Sequence, residues 1–208
     1  LIISHPHGDH IDEIEHLSAQ GFKVRQLWRP RWLPEEDVRK ANQKTYAQKL
    51  DTYFEMNNRF TGDIASGQLV GDPAVSGGVR IQQFASHKCG TSNINNHSGV
   101  VVFTYQGVKV VIPGDNEPPS WNALLEQPDF VSAIDGAHVF PASHHGRESG
   151  YHSELFKSMG PKLCLVSDGK VQDTDATSRY SGHAAGWSVR SRSDNSSAER
   201  SCLTTRSD

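Results

Sequence analysis

Cysteine is scarce in this chain: Cys89, Cys164 and Cys202 are the only three among 208 residues. An odd number without close pairs argues against a disulfide framework and points to a reducing, cytoplasmic setting. Long apolar runs are missing too. No stretch approaches the roughly 20 residues of a bilayer span, so no membrane segment is expected, and no signal-peptide pattern opens the chain. Charge of one sign is also lacking, since 21 basic and 24 acidic residues leave a formal net charge of −3. That balance announces no nucleic-acid or membrane surface. No internal repeat is present. The first residue is Leu1, already inside an apolar run, and an N-terminal truncation is the expectation. The exception to this sparseness is histidine, with eleven residues, several of them clustered.

Periodicity predicts an α/β domain, one unit over 1–208. LIIS reads as a short buried strand, HPHGD as a loop, and HIDEIEHLSAQGF as a helix with Asp9 as N-cap and Gly21 as its stop. FKVRQLW resembles another strand. A long polar helix is expected after Pro34, running to Phe60 within a helical insert over about 29–78. GVRIQQFAS is a strand. VVVFTY and KVVIP are two more, joined by a tight turn at Gln106-Gly107 and ending on Gly114-Asp115. AHVFPAS and PKLCLVSDG are later strands, separated by the helix HSELFKSM. The tail from Asp173 reads as either a disordered end or a closing hairpin of GWSVRSR and RSCLTT.

The stretch SHPHGDH, Ser4 to His10, carries the chemistry. His5 and His7 are one residue apart, so in an extended loop both turn to one side and can grip one ion through imidazole nitrogen. Asp9 and His10 follow the Gly8 kink and can address a second ion. Carboxylate with imidazole suits zinc, manganese or iron. A solvated loop with accidental histidines is the plain alternative.

H-x-H-x-D-H between an apolar strand and an amphipathic helix resembles the signature of the metallo-β-lactamase fold hydrolases. Further along, His97 precedes a β-hairpin, Asp115 ends it, and VFPASHHG supplies His144 and His145. The pieces NNHSGVVV, TYQGVKVVIPGD, SHHGRES and LCLVSDGK resemble one branch in particular, the metallo-β-lactamase-like domain of ComEC competence proteins. The likeness covers roughly Leu1–Leu17 and Asn95–Gly169. It implies an αββα sandwich, here lacking its N-terminal strands, and a dinuclear hydrolase with two divalent ions, zinc or manganese.

On that resemblance His5, His7 and His97 hold the first metal, and Asp9, His10 and His144 the second, with Asp115 bridging. Asp9 and Asp115 are thus catalytic as well as ligands, and a water between the ions becomes the nucleophile. Asn95 or Asn96 could face the metal in place of His97, and His145 could replace His144. His183 is a candidate acid for the leaving group. Ser143, Arg147 and Ser149 are candidate phosphate contacts, and His87 with Cys89 a weak structural-metal pair. The implied substrate is a phosphodiester of nucleic acid or a nucleotide. The alternatives are a lactone, thioester or β-lactam at the same site, or a metal-binding module without turnover. Trp28, Trp32, Tyr46, Tyr53 and Phe54 beside Arg25, Arg29, Arg31 and Arg39 form either a nucleic-acid surface or ordinary core with a charged face. Protein partners are unknown.

Overall fold

The computed structural model describes residues 1–62, 73, 74, 76–169 and 174–205. Part of the expected insert (63–72 and 75), residues 170–172 and both ends of the tail (173 and 206–208) fall outside them. In chain order the described elements are α1 (Ile14–Ala19), α2 (Glu35–Ala41), α3 (Ala47–Arg59), β1 (Arg80–Phe84), β2 (Val100–Tyr105) and β3 (Val108–Ile112). They continue with α4 (Pro118–Leu125), α5 (Pro128–Ile134), β4 (Val139–Pro141), α6 (Leu155–Ser158), β5 (Leu163–Val166), α7 (Thr177–His183), β6 (Trp187–Arg190), β7 (Ser197–Arg200) and β8 (Cys202–Thr204). No helix among the described residues is long and apolar enough to cross a membrane.

The fold is α/β with a mixed sheet, in the order β1-β2-β3-β4-β5-β8. β1, β2 and β3 pair antiparallel; β3, β4, β5 and β8 run parallel. The β2–β3 turn falls on Gln106 (φ 47°) and Gly107 (φ 80°), the positive-φ pair that matches strand twist in a two-residue hairpin. Strand alternation aims Phe84, Val100, Val102 and Val111 at one face. There they meet Trp121, Leu124, Phe130, Ile134 and Leu155 from the crossover helices, and Tyr180 from α7. Each such side chain contributes about 1.5–3 kcal/mol by leaving water. The alternate residues Tyr105, Val108 and Ile112 lie on the opposite face and stay open to solvent.

A second core gathers Ile3, Ile11, Ile14, Leu27, Leu33, Val38, Leu50, Tyr53, Phe54 and Ile94 around α1, α2 and α3. The two cores meet along a tight seam. Gly99 N–H donates to Ser4 O at 2.8 Å. A Cβ on Gly99 would lie 1.8 Å from the Trp28 ring, so no larger residue fits.

Three expectations are corrected. LIIS and FKVRQLW do not form strands of a sheet. Their pairing with each other stops at one parallel bridge, Ile2 to Trp28. The long helix after Pro34 is broken: Asn42 is extended (φ −106°, ψ 152°), and a 3₁₀ turn at Lys44–Tyr46 separates α2 from α3. In the tail, Thr177–His183 is helical and buries Tyr180. Its hairpin pairs β6 with β7, while Cys202–Thr204 leaves that hairpin to extend the main sheet beside β5.

Candidate metal centre

The histidine loop is a short 3₁₀ turn, Gly8–His10, rather than the start of the helix. Asp9 is therefore no N-cap, and its carboxylate is free to face the cluster. Two devices hold the loop. Asn42 Oδ1 accepts from Gly8 N–H at 2.8 Å, while its Nδ2 donates to Pro6 O and Val38 O at 3.0 and 2.9 Å. The Tyr46 ring lies over Gly8, where a Cβ would come within 2.4 Å of it.

His5 is fully buried, with Nδ1 3.1 Å from Ser98 Oγ and 3.2 Å from Ser4 Oγ. Its Nε2 faces His7 Nδ1 at 2.9 Å and Asp115 Oδ2 at 3.8 Å. Ser4 Oγ also lies 3.2 Å from His10 Nδ1, leaving His10 Nε2 to meet Asp115 Oδ2 at 3.2 Å. Ser98 Oγ accepts from the Asp115 backbone N–H at 3.0 Å, tying strand end to loop. Burial holds the His5 pKa well below the usual imidazole range, with the His10 ring adding to it, and burial lowers His7 as well. Both imidazoles are thus in the neutral, ligating form.

The second histidine loop is strained. His144 (φ 49°, ψ 49°) and His145 (φ 56°, ψ 20°) both occupy the left-handed region before Gly146 (φ 82°). Holding two non-glycine residues there costs of order 1–3 kcal/mol each. The turn aims the two side chains apart. His145 Nδ1–H donates to Ser167 O at 3.0 Å, while Nε2 faces Asp9 Oδ2 at 3.4 Å and Asp115 Oδ2 at 3.7 Å. That Nε2 is buried and makes no hydrogen bond.

One ligand atom each from Asp9, His10, Asp115 and His145 lies within 4.8 Å of the others. Two ligands on one tetrahedral ion with bonds of about 2.0–2.1 Å sit about 3.3 Å apart. The 2.9–3.8 Å separations here bracket that span. The donor set therefore fits divalent cations, and backbone and hydroxyl partners on the opposite ring nitrogens of His5, His10 and His145 hold the ring orientations.

Without metal, the carboxylates and imidazoles of the cluster shift one another's pKa values. Burial alone would raise Asp115, but the His10 hydrogen bond and the imidazoles of His5, His10 and His145 together hold it at about 2. His145 holds Asp9 well below the usual carboxylate range, against its partial burial. The Asp9 carboxylate in turn pushes His145 up to about 9.

Of the expected site residues, His5, His7, Asp9, His10 and Asp115 come together. His144 does not join them: its Nδ1 takes Ser149 Oγ at 2.8 Å and lies 3.4 Å from Glu117 Oε1. His145 stands in its place. His97 is buried with Nδ1 accepting from Trp32 Nε1–H at 2.9 Å and Nε2 against Gly90 O at 3.4 Å, so both nitrogens are spent away from the cluster. Asn95, two residues earlier, donates from Nδ2 to Glu117 Oε1 at 3.1 Å. His183 stacks on Phe156, with ring centroids 4.1 Å apart, and pairs its Nε2 with Tyr151 Oη at 2.7 Å.

His87 stacks on Trp32 at 3.7 Å, and Cys89 sits by Ser86 Oγ. Trp28, Arg29, Tyr53 and Phe54 are buried. Ser143 is buried too, with its hydroxyl on Gly114 O and Asn116 O. A cavity of about 450 Å³ beside Trp28, Arg29, Trp32 and His87 lacks the carboxylates of the cluster. The sequence reading missed Asn42, Ser98 and Ser167 as supports. The N-N-x-S spacing carried a signal for Ser98; nothing local marked the other two.

No family model and no curated protein matches the chain. Among solved structures it is similar to a protein assigned as a Zn-dependent hydrolase of the metallo-β-lactamase superfamily from Thermotoga maritima. The identity is 18%, over 50% of this chain and 47% of that one, with a TM-score of 0.31. It is also similar to a protein assigned as a metal-dependent hydrolase from Parabacteroides distasonis, at 15% identity over 79% and 62% with a TM-score of 0.40. A third similar structure is a metallo hydrolase from Ignicoccus hospitalis, at 14% over 79% and 60% with a TM-score of 0.41. The chain spans about half to three fifths of the length of these structures.

Proposed function

We propose that this chain is a metal-dependent hydrolase of the metallo-β-lactamase superfamily that uses two divalent ions, zinc or manganese, to cleave phosphodiesters of nucleic acid or a nucleotide. One observation supports it above the rest: Asp115 Oδ2 faces the imidazoles of His5, His10 and His145, which come from two loops far apart in sequence. His5 and His7 would hold one cation, Asp9, His10 and His145 the other, and Asp115 both. When bound, such ions supply Lewis acidity toward the scissile group and a nucleophile at neutral pH.

The chain's own residues do the rest. Ser4, Ser98 and the Ser167 carbonyl hold the ring orientations. Asp9, with its depressed pKa, stays ionised and is too weak a base to take a proton at Oδ2, so its part is charge and ligation. Arg147 Nη1, 3.5 Å from His144 Nε2, sets a cation on the same turn as His145, where it can meet a phosphate. His183 Nε2 lies 2.7 Å from Tyr151 Oη.

The test is metal analysis of the purified protein followed by turnover of bis-p-nitrophenyl phosphate, a lactone and a cephalosporin. About two ions per chain with fastest phosphodiester cleavage is the expected result. Faster carbon-ester turnover would replace the substrate assignment, and absence of hydrolysis with either metal would leave a binding module.

A further inference from the structure

We propose that Arg147, aimed by His144, binds the phosphate next to the scissile one, so that the substrate is a nucleotide strand with at least two phosphates rather than an isolated diester. The inference rests on the phosphodiester reading above and extends it to the flanking group. Its starting point is a cation without a counter-ion. Arg147 is half-buried, and its Nε–H is buried with no hydrogen-bond partner. No carboxylate among the described residues pairs with it; Glu148, the next residue, gives its carboxylate to Arg179. A guanidinium keeps its charge at any working pH, and a charge partly withdrawn from water is unfavourable until an opposite charge meets it. Here that charge has to come from outside the described residues.

His144 fixes where the fork points. Arginine has donors only, so His144 Nε2, 3.5 Å from Arg147 Nη1, is the acceptor, and the ring hydrogen sits on Nδ1. From there it donates to Ser149 Oγ at 2.8 Å, with Glu117 Oε1 3.4 Å away. Glu117 accepts in turn from Nδ2 of Asn93 and of Asn95, at 2.9 and 3.1 Å. The Arg147 backbone is closed at both ends, its N–H on His144 O at 3.0 Å and its carbonyl on Gly150 N–H at 3.1 Å. One N–H of the fork is used for aim, and the others are left for a ligand.

The left-handed turn separates two duties. His145 Nε2 faces Asp9 and Asp115 Oδ2 at 3.4 and 3.7 Å, where the ions and with them the scissile phosphate belong. The His144 ring centroid lies 6.3 Å from that of His145, its plane turned by 59°, and Arg147 meets its Nε2 edge. That offset is wider than one phosphate group and suits consecutive phosphates of one strand. A planar fork takes two oxygens of a phosphate at once, which a lysine ammonium does not.

The experiment uses matched probes on the metal-loaded chain. Titration calorimetry compares thymidine 3′,5′-bisphosphate with the 5′- and 3′-monophosphates. Turnover compares the p-nitrophenyl esters of thymidine 5′-phosphate and 3′-phosphate, each with and without a phosphate on the other carbon. The wild type should favour the bisphosphate, and one of the doubly phosphorylated esters, by about 10-fold or more in Kd and KM. Arg147→Ala should bring both ratios close to 1 with metal content retained, and Arg147→Lys should keep only part of the preference. His144→Ala should lower the ratios through KM at unchanged metal content, and His144→Gln, which offers an amide oxygen to the fork, should restore part of them. If the wild type cleaves the diesters without regard to the second phosphate, or Arg147→Ala keeps the preference, the subsite is wrong and the phosphodiester reading stands. If the wild type binds no nucleotide and cleaves only carbon esters, both fall together.

Discussion

The backbone N–H of Gly8 donates to Asn42 Oδ1 at 2.8 Å, so the break between α2 and α3 is also the support of the histidine loop. Without that bond the helix break would be an unexplained defect. With it, the bent insert becomes a bracket whose far end packs Tyr53 and Phe54 into the second core.

Asn42→Ala removes one acceptor and two donors at this bracket. It should cost about 1–3 kcal/mol of stability, because Gly8 N–H and Pro6 O lose their partner. Metal affinity should fall about 10-fold or more as the loop loosens. Thermal melting and metal titration read both. Unchanged affinity alongside lowered stability would separate the bracket from the site.

Asp115→Asn keeps the side chain's shape and removes the shared charge. Metal per chain should drop by about two ions in a single step, with the circular dichroism spectrum unchanged. Loss of only one ion would show that Asp115 serves one subsite rather than both.

His145→Ala should deplete the second subsite, whereas His144→Ala should leave metal content as it was, since His144 is held by Ser149 and Glu117. Elemental analysis of the two variants decides between the neighbours. The opposite pattern would mean that the left-handed turn inverts in solution.

In chelator, folding depresses the Asp115 pKa from 3.8 to about 2. Its stabilisation, roughly 2 kcal/mol, is complete above the unfolded value and lost as pH falls through the folded one. His145 has the opposite sign: raised from 6.5 to about 9, it stabilises fully below 6.5 and loses that contribution as pH rises through 9. The lowered His5 and His7 have the opposite sign to His145 and remove stability as pH falls below 6.5, so the metal-free protein should melt highest near pH 6.5. A melting temperature still climbing from pH 6.5 to 9 would contradict the pairing of His145 with Asp9.

Much of the site was legible because its spacing is local. The order of His5, His7, Asp9, His10 and Asp115 survives into three dimensions, and the strands around Asp115 follow from apolar runs and a Gln-Gly turn. The choice between His144 and His145 was not legible. Both precede a glycine, and only the positive φ of both residues decides which ring turns inward. His97 looked like a ligand until Trp32, 65 residues away, claimed its nitrogen. Asn42 reads as an ordinary polar position of a helical stripe. Its preference for Pro6 and Gly8 over continuing the helix is a tertiary effect that no window of sequence contains.

The seam between the two packed cores runs beneath the cluster, with His5, His7, Asp9 and His10 rising from one side and Asp115 and His145 from the other. Ions seated there would work as a latch. Apart from them, the halves meet in the close packing of Gly99 against the Trp28 ring.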